Sequence, residues 1–253
     1  MFAKFKQRSY ELEHLDKGDY TRDEYDTCIV ELQRVNRYLG DIRTLRKSAL
    51  NLVEHEKLER FTVLDVGAGS GELLRSAAIW SRDRGKSFCG VGIELNEQSA
   101  QAIAKESKVF KNIYGVRGDA FRLPFMDDQF DFVICSLFTH HFVENDIVSI
   151  LREMARVACR NIFVIDLHRH PVAYYFYTTI AKIFLHNRLI REDGALSILR
   201  GFKSWELREI AGRAGLHEVS VDRVFPYRLV MTAAAEPNRA SRQHQRYGNH
   251  KAA

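Results

Sequence analysis

The acids, glycines and histidines of this chain are spaced in a way that defines a chemistry. Asp65 closes an apolar run, Val63-Leu64-Asp65-Val66, and the turn Gly67-Ala68-Gly69-Ser70-Gly71 follows at once, before Glu72-Leu73-Leu74-Arg75 opens a helix. Glycines at alternate positions let the chain bend sharply and bring backbone N–H groups against a ligand with no Cβ in the way. Strand, glycine turn and helix N-terminus together make a nucleotide-type site. A second acid, Glu94, ends the run Val91-Gly92-Ile93, 27 residues after Gly67. That position suits a carboxylate gripping both hydroxyls of a ribose. A third, Asp119, follows Val116-Arg117-Gly118. A nicotinamide site has no use for an acid at the third strand tip, whereas an adenine amino group does. The third glycine is Gly71, one residue earlier than the dinucleotide fingerprint requires, where Glu72 stands.

Histidines add a second kind of chemistry. His140 and His141 follow Cys135-Ser136-Leu137-Phe138-Thr139, and His168 and His170 follow Asp166. Imidazole titrates near working pH, so each is a candidate proton acceptor. His140 is the preferred base, and His141 the preferred structural residue. Asp166-x-His168-x-His170 has the look of a metal motif, but no further ligand stands nearby in sequence, so no metal is expected.

These residues need a scaffold that brings strand tips to one edge. Strands are expected near 62–66, 89–94, 112–117, 131–136 and 161–166, with helices near 71–84, 97–107 and 144–158 between them. A helix from Ser204 and two closing strands, 217–223 and 225–233, complete the pattern. Parallel strands joined by helices gather their C-terminal ends on one edge, where ligands bind. Ahead of this core, Thr21-Arg22-Asp23-Glu24 reads as a capping box. Ile29, Leu32, Val35 and Leu39 then recur at helical spacing, and a second helix after Asp41 buries Ile42, Leu45, Ala49 and Val53.

From Phe61 to about Met231 the sequence resembles the class I S-adenosylmethionine-dependent methyltransferases, on the glycine turn, the strand-two acid and the strand-three acid in order. The resemblance implies a Rossmann-like α/β sheet of seven strands, order 3-2-1-4-5-7-6, with strand 7 antiparallel. It implies S-adenosyl-L-methionine as cofactor, with Asp65, Gly67, Gly69 and Gly71 at its methionine end and Ala68 and Ser136 among its other contacts. Glu94 would hold the ribose, Leu95 would flank the adenine, and Asp119 with Ala120 would read its edge. The division implied is a helical cap over 1–60, a methyltransferase domain over 61–234 and a disordered basic tail over 235–253. Leu123-Pro124-Phe125, Ser136-Leu137-Phe138-Thr139-His140-His141 and the insertion after strand 5 are similar to bacterial methyltransferases of phenolic, polyketide or quinone-like acceptors. O-methylation of a hydroxyl on a small aromatic or polyketide-like acceptor is therefore the leading expectation. C-methylation of a quinone precursor stands second; an RNA substrate and a non-catalytic cofactor-binding module follow.

The insertion itself, 171–200, is expected to be a helical lid and acceptor wall, carrying Tyr174, Tyr175, Phe176 and Tyr177 in a row. His168, Tyr174, Tyr175 and Tyr177 are its candidate substrate contacts. A dimer contact or a membrane-surface helix are the alternatives, and Glu192 and Asp193 beside Arg188 and Arg191 weigh against the membrane.

Composition narrows the partners. The chain has 253 residues, 45% hydrophobic, and a net charge of +5. Arg239, Arg242, Arg246 and Lys251 against Glu236 put +3 of that after residue 235, leaving +2 for the rest. A body so close to neutral lacks the electrostatic footprint of a dedicated nucleic-acid binder, so no stable nucleic-acid partner is expected. There is no Asn-Pro-Pro-Tyr or Asp-Pro-Pro-Tyr segment at strand 4 and no Pro-Cys nucleophile. Cys28, Cys89, Cys135 and Cys159 are scattered, as reduced thiols of a cytoplasmic protein would be. No signal-peptide h-region and no apolar run of the ~20 residues that span a bilayer is present. A monomer or homodimer acting in the cytoplasm is expected.

Overall fold

The computed structural model describes residues 3–24, 27–28, 31 and 40–235. The apolar stripe expected over 29–39 and the tail after 235 lie outside these residues.

Seven strands form one sheet in the order β3-β2-β1-β4-β5-β7-β6. They are β1 (Arg60–Val66), β2 (Ser87–Glu94), β3 (Ile113–Arg117), β4 (Phe130–Ser136), β5 (Ala158–Leu167), β6 (His217–Val224) and β7 (Arg228–Ala234). Strands β1 to β5 pair in parallel, while β7 runs antiparallel to both β5 and β6. The central strands read as unbroken apolar runs because both faces are covered. Leu64, Val66, Val133, Cys135 and Val164 point into one core, and Phe61, Val63, Phe132, Ile134 and Phe163 into the other.

Helices α1 (His14–Lys17), α2 (Asp41–Lys47) and α3 (Ala49–His55) precede the sheet. The Thr21 capping box is present, with Thr21 N–H and Glu24 Oε2 2.9 Å apart and Glu24 N–H donating to Thr21 Oγ1 at 3.2 Å. The single helix expected after Asp41 breaks at Ser48, whose ψ of −96° no helix allows. Helix α2 is fastened by a buried pair, Asp41 with Arg228 of β7, at 2.7 Å. Crossovers α4 (Glu72–Arg82), α5 (Glu97–Glu106) and α6 (Glu144–Val157) lie within two residues of their expected bounds.

The segment after β5 is a helical pair, α7 (Pro171–Phe184) and α8 (Arg188–Arg200), followed by α9 (Ser204–Ala214). Pro171 sits in the first turn of α7, where its missing N–H costs nothing, and the His170 ring accepts from Val172 N–H. Asn187 caps α8 by accepting from Leu189 N–H. The polar stretch 188–194 is thus helical. Gly194, inside α8, is needed because a Cβ there would strike the Tyr177 ring and hydroxyl.

Candidate active site

The C-terminal ends of β1, β2 and β4 converge on the glycine turn. Gly67 has φ +71° and Gly69 φ +56°, conformations that disfavour a side chain. A Cβ on Gly67 would also collide with the Phe138 ring, whereas Gly69 faces open space. Gly67 and Ala68 N–H groups both turn toward Ile93 O, at 3.0 and 3.4 Å, which holds the turn against β2. Gly71, φ +81°, begins α4.

Two carboxylates share this edge. Asp65 is 2% exposed at the end of β1. Burial, and then the nearby Glu94 charge, push its pKa well above the ordinary range. Glu94 is half-buried and accepts from Gly69 N–H at 2.5 Å. Burial raises its pKa as well, against the lowering by that amide. Leu95, exposed, lies beside it, and Arg117 Nε donates to the Leu95 carbonyl at 3.3 Å. Asp119 and Ala120 follow β3, with Asp119 accepting from Phe121 N–H at 2.9 Å. At the tip of β4, Ser136 Oγ is buried and has no hydrogen-bond partner.

These features fit S-adenosylmethionine. Two desolvated acids, which a nearby positive charge would help to ionise, suit a cationic, hydroxyl-bearing ligand, an orphaned hydroxyl at the strand tip suits a polar one, and open space over Gly69 leaves room for it.

A second cluster stands on the β4–β5 side. Thr139–His141 form one turn of 3-10 helix. Asp166, fully buried, accepts from Thr139 Oγ1 at 2.6 Å, His140 N–H at 3.1 Å and Leu167 N–H at 2.7 Å, and pairs with His140 Nδ1 at 2.7 Å. Burial alone would raise its pKa, but the His140 charge and the donated bonds outweigh it and hold the carboxyl below the usual range. His140 is 3% exposed, and its Nε2 lies 4.0 Å from Glu13 Oε1. His141 is more open, with Nδ1 3.4 Å from Asp16 Oδ1. Glu13 and Asp16 belong to an N-terminal strap that crosses the 3-10 turn. Burial raises the Glu13 pKa, while Asp16, paired with His141 and Arg200, falls below the usual range despite partial burial.

Buried arginines fasten that strap. Arg200 donates to His140 O at 3.1 Å, His141 O at 2.7 Å, Glu11 O at 3.1 Å and Asp16 Oδ2 at 2.8 Å. Arg8 donates to Arg200 O, Phe142 O and Glu144 at 2.8, 3.0 and 3.0 Å. Arg169, with no exposed surface, reaches Phe5 O and Gly201 O and pairs with Glu206 at 2.6 Å. None of Arg8, Glu13, Asp16, Arg169 or Arg200 was legible as a site residue. Each is a single charge whose partners on other elements lie 32 or more positions away in sequence. Only topology joins them.

The metal-like motif resolves differently. Asp166 is committed to His140; His168 and His170 rings stand 5.4 Å apart, and His170 stacks on Tyr227. Burial and neighbouring cations push His168 down to about 4. Ligand-type atoms of Glu13, His140 and His141 do lie within 4.8 Å of one another. Arg200, 4.0 Å from Glu13 and 2.8 Å from Asp16, already brings positive charge to that spot and opposes a dication. Cys135 is buried, its thiol pushed well up by burial, which suits a core residue and not a nucleophile.

The candidate acceptor residues divide. Tyr174 and Tyr175 pack edge-on against Phe5 of the strap, at 5.6 and 6.0 Å. Tyr177 turns the other way, its hydroxyl donating to Ile190 O in α8. A groove of about 530 Å³ opens between strap, α7 and α8, lined by Leu12, Tyr174, Thr178, Ala181, Leu196 and Leu199 among others. No residue of the glycine turn or strand tips lines it.

Residues 64–165 match the family model described as a methyltransferase domain. Over 139 residues the chain is 34% identical to a putative 23S rRNA (guanine-N(1)-)-methyltransferase of Bacillus subtilis, covering 51% of this chain and 46% of that protein. It is 33% identical to a demethylmenaquinone methyltransferase of Roseiflexus over 121 residues, covering 45% and 48%. The chain thus spans about half the length of the curated relatives it matches. Among solved structures, magnesium protoporphyrin IX methyltransferase from Synechocystis, with bound S-adenosylhomocysteine, aligns with a TM-score of 0.54 at 18% identity, over 78% of this chain and 84% of that one. Family match, strand order and neighbours agree in supporting a class I S-adenosylmethionine-dependent methyltransferase, with residues 64–165 carrying the methyltransferase-domain match.

Proposed function

We propose that this class I methyltransferase methylates a hydroxyl of a small aromatic or polyketide-like acceptor, with His140 as base. The observation that carries the reading is the buried Asp166–His140 pair on the ligand edge of β4 and β5. S-adenosylmethionine supplies an activated methyl on a sulfonium, so the chain must align the acceptor, exclude water and take one proton. Asp166 on Nδ1 selects the tautomer whose Nε2 is free to accept. Beyond Nε2 stands Glu13, desolvated and therefore a ready second proton acceptor.

In the same reading Asp65, Gly67, Ala68, Gly69, Gly71 and Ser136 cradle the methionine end, Glu94 takes the ribose, and Leu95, Asp119 and Ala120 frame the adenine. The helices α7 and α8 act with the strap as lid and acceptor wall. Tyr174 and Tyr175 contribute rings on the strap side, while Tyr177 braces α8.

A second reading, C-methylation of a quinone precursor, is favoured by the likeness to a demethylmenaquinone methyltransferase. The same base serves it, since removing a phenolic proton also enriches the ring carbons. Incubation with methyl-labelled cofactor and panels of phenols, quinols and structured RNA separates the readings. Label on a phenolic oxygen supports the first, label on a ring carbon the second, and label in RNA alone overturns both.

A further inference from the structure

Past the end of β5 the chain gathers side chains of one charge that the chemistry above leaves unused. His168 and His170 follow Asp166 by two and four residues, and their rings stand 5.4 Å apart. Lys203 is brought beside them by a bridge between His168 and Phe202, its neighbour in sequence. Arg223 stands on β6 opposite Leu229 of β7, which itself stands opposite Asp166 of β5. Tyr227 closes the group: its carbonyl accepts from His168 N–H at 2.9 Å, and its ring stacks on His170 at 5.1 Å. Arg223 is exposed, so the cluster opens to solvent on the β6 side.

What the cluster lacks is an acid. Burial, then Lys203, Arg223, His170 and Arg169, all cationic, push the His168 ring toward its neutral form. Arg169 is neutralised by Glu206 at 2.6 and 2.9 Å, which commits the acid whose charge favours protonated Lys203. Asp222, next to Arg223, projects to the opposite face by strand alternation, and its Oδ2 lies 3.5 Å from Ser220 Oγ. Among the described residues no ion pair reaches Lys203 or Arg223. His168 is 7% exposed, yet neither of its ring nitrogens has a hydrogen-bond partner among those residues. Ser204 Oγ, next in the chain to Lys203, is buried and equally unpartnered. Buried polar groups are ordinarily paired, and uncompensated positive charge repels itself. An anion satisfies both needs, since a carboxylate or phosphate accepts charge-assisted bonds from guanidinium, ammonium and imidazole together.

Position indicates which anion. Two residues of extended chain, about 6–7 Å, separate His168 from Asp166, whose partner His140 is the proposed base. A small acceptor that gives its hydroxyl proton to His140 thus has its far end at the cluster. We propose that His168, His170, Lys203 and Arg223 form an anion site that takes a carboxylate or phosphate group carried by the methyl acceptor. The proposal rests on the reading of a small hydroxylated acceptor and sharpens it: the acceptor is an acid.

Binding without turnover tests it, so that its failure is distinct from a failure of O-methylation. The imidazole resonances of the full chain, loaded with S-adenosylhomocysteine, are followed by NMR. The probes are meta- and para-hydroxybenzoate, para-hydroxyphenyl phosphate, the uncharged hydroxybenzamides and inorganic phosphate. The acidic phenols should shift the His168 and His170 signals saturably, with assignments from His168→Gln and His170→Gln spectra, while the amides leave them in place. Inorganic phosphate should compete with the acids. Arg223→Gln and Lys203→Gln should each weaken acid binding about tenfold or more, as the loss of one charge-assisted hydrogen bond does. Both should bind S-adenosylmethionine like the parent, which shows that they are folded. No shift with any probe, acids and amides binding alike, or acid binding undiminished in both variants overturns the proposal. Shifts with inorganic phosphate alone overturn the assignment of the site to the acceptor.

Discussion

The cofactor edge and the strap side of this molecule are built on opposite principles. The first is made by backbone: a glycine turn, strand ends in parallel register and carboxylates at strand tips, within Asp65–Ala120. The second is made by side chains: buried guanidinium groups that reach carbonyls and carboxylates across 32 to 192 positions of sequence. Backbone sites tolerate substitution of their neighbours, because geometry is held by the ladder. Side-chain networks do not, because removing one member leaves several buried partners unsatisfied.

The largest effect is expected where that contrast is sharpest. Arg200→Ala deletes the donor to three carbonyls and one carboxylate in a site 3% exposed. Breaking such a buried pair costs about 3–5 kcal/mol. For a chain of this size that lowers the melting temperature by roughly 6–20 °C. Cofactor affinity, measured by calorimetry on the folded fraction, should stay within a few fold. An equal loss of cofactor binding would show that the two regions are not separable.

Glu94→Ala reverses the pattern. Two ribose bonds to a charged acceptor, at roughly 1.5–3 kcal/mol each, vanish, and the dissociation constant should rise by about two to four orders of magnitude. The melting temperature without cofactor should barely move, since burial of this carboxyl is unfavourable and Gly69 N–H is its one hydrogen-bond donor among the described residues. A large fall in stability instead would make Glu94 a structural residue.

These two expectations also mark how far the sequence could be read. Asp65, Glu94 and Asp119 were legible because strand–turn–helix spacing is local: strand β1 alone predicts where Gly67 will stand. All seven strands were placed for the same reason. The Asp166–His140 pair was half legible, as both residues sit at strand ends, yet the bond between them depends on β4 and β5 being neighbours. The strap residues were not legible. Glu13 and Asp16 lie in a short polar stretch whose meaning comes only from Arg200, 184 positions or more away. Helix α8 falls inside the helical insertion expected over 171–200, but why it tolerates Gly194 is seen only when Tyr177 fills that place.

A pH dependence sharpens the comparison further. Asp65 and Glu94 have raised pKa values, so in the absence of cofactor their protonated forms favour the fold, and that contribution is lost as pH rises through the raised values. Cofactor needs them ionised. Affinity should therefore climb with pH over a window above the ordinary carboxylate range, and binding should release protons. Calorimetry in buffers of different ionisation enthalpy measures that release; proton uptake would contradict the assignment. At two acids of the strap side the sign is opposite. Asp166 and Asp16 are lowered, so their stabilisation holds above the unfolded carboxylate value and is lost only at strongly acid pH.

The smallest expected effect uses an ion pair that looks as good on distance alone. Arg84 Nε and Glu54 Oε1 are 2.6 Å apart, closer than the 2.8 Å of Arg200 and Asp16. Both Arg84 and Glu54 side chains are nearly half exposed, at 44% and 48%, whereas Arg200 is at 4%. Water screens the exposed charges and resolvates either one when its partner is removed, so the pair is worth about 0–1 kcal/mol. Arg84 also lies 4.7 Å from the Trp80 ring, a contact that outlasts the loss of Glu54. Glu54→Gln should accordingly shift the melting temperature by no more than about 2–4 °C. Raised salt should erase what difference there is while leaving the Arg200→Ala deficit in place. A Glu54→Gln loss as large as that of Arg200→Ala would mean that burial is not what separates the two regions.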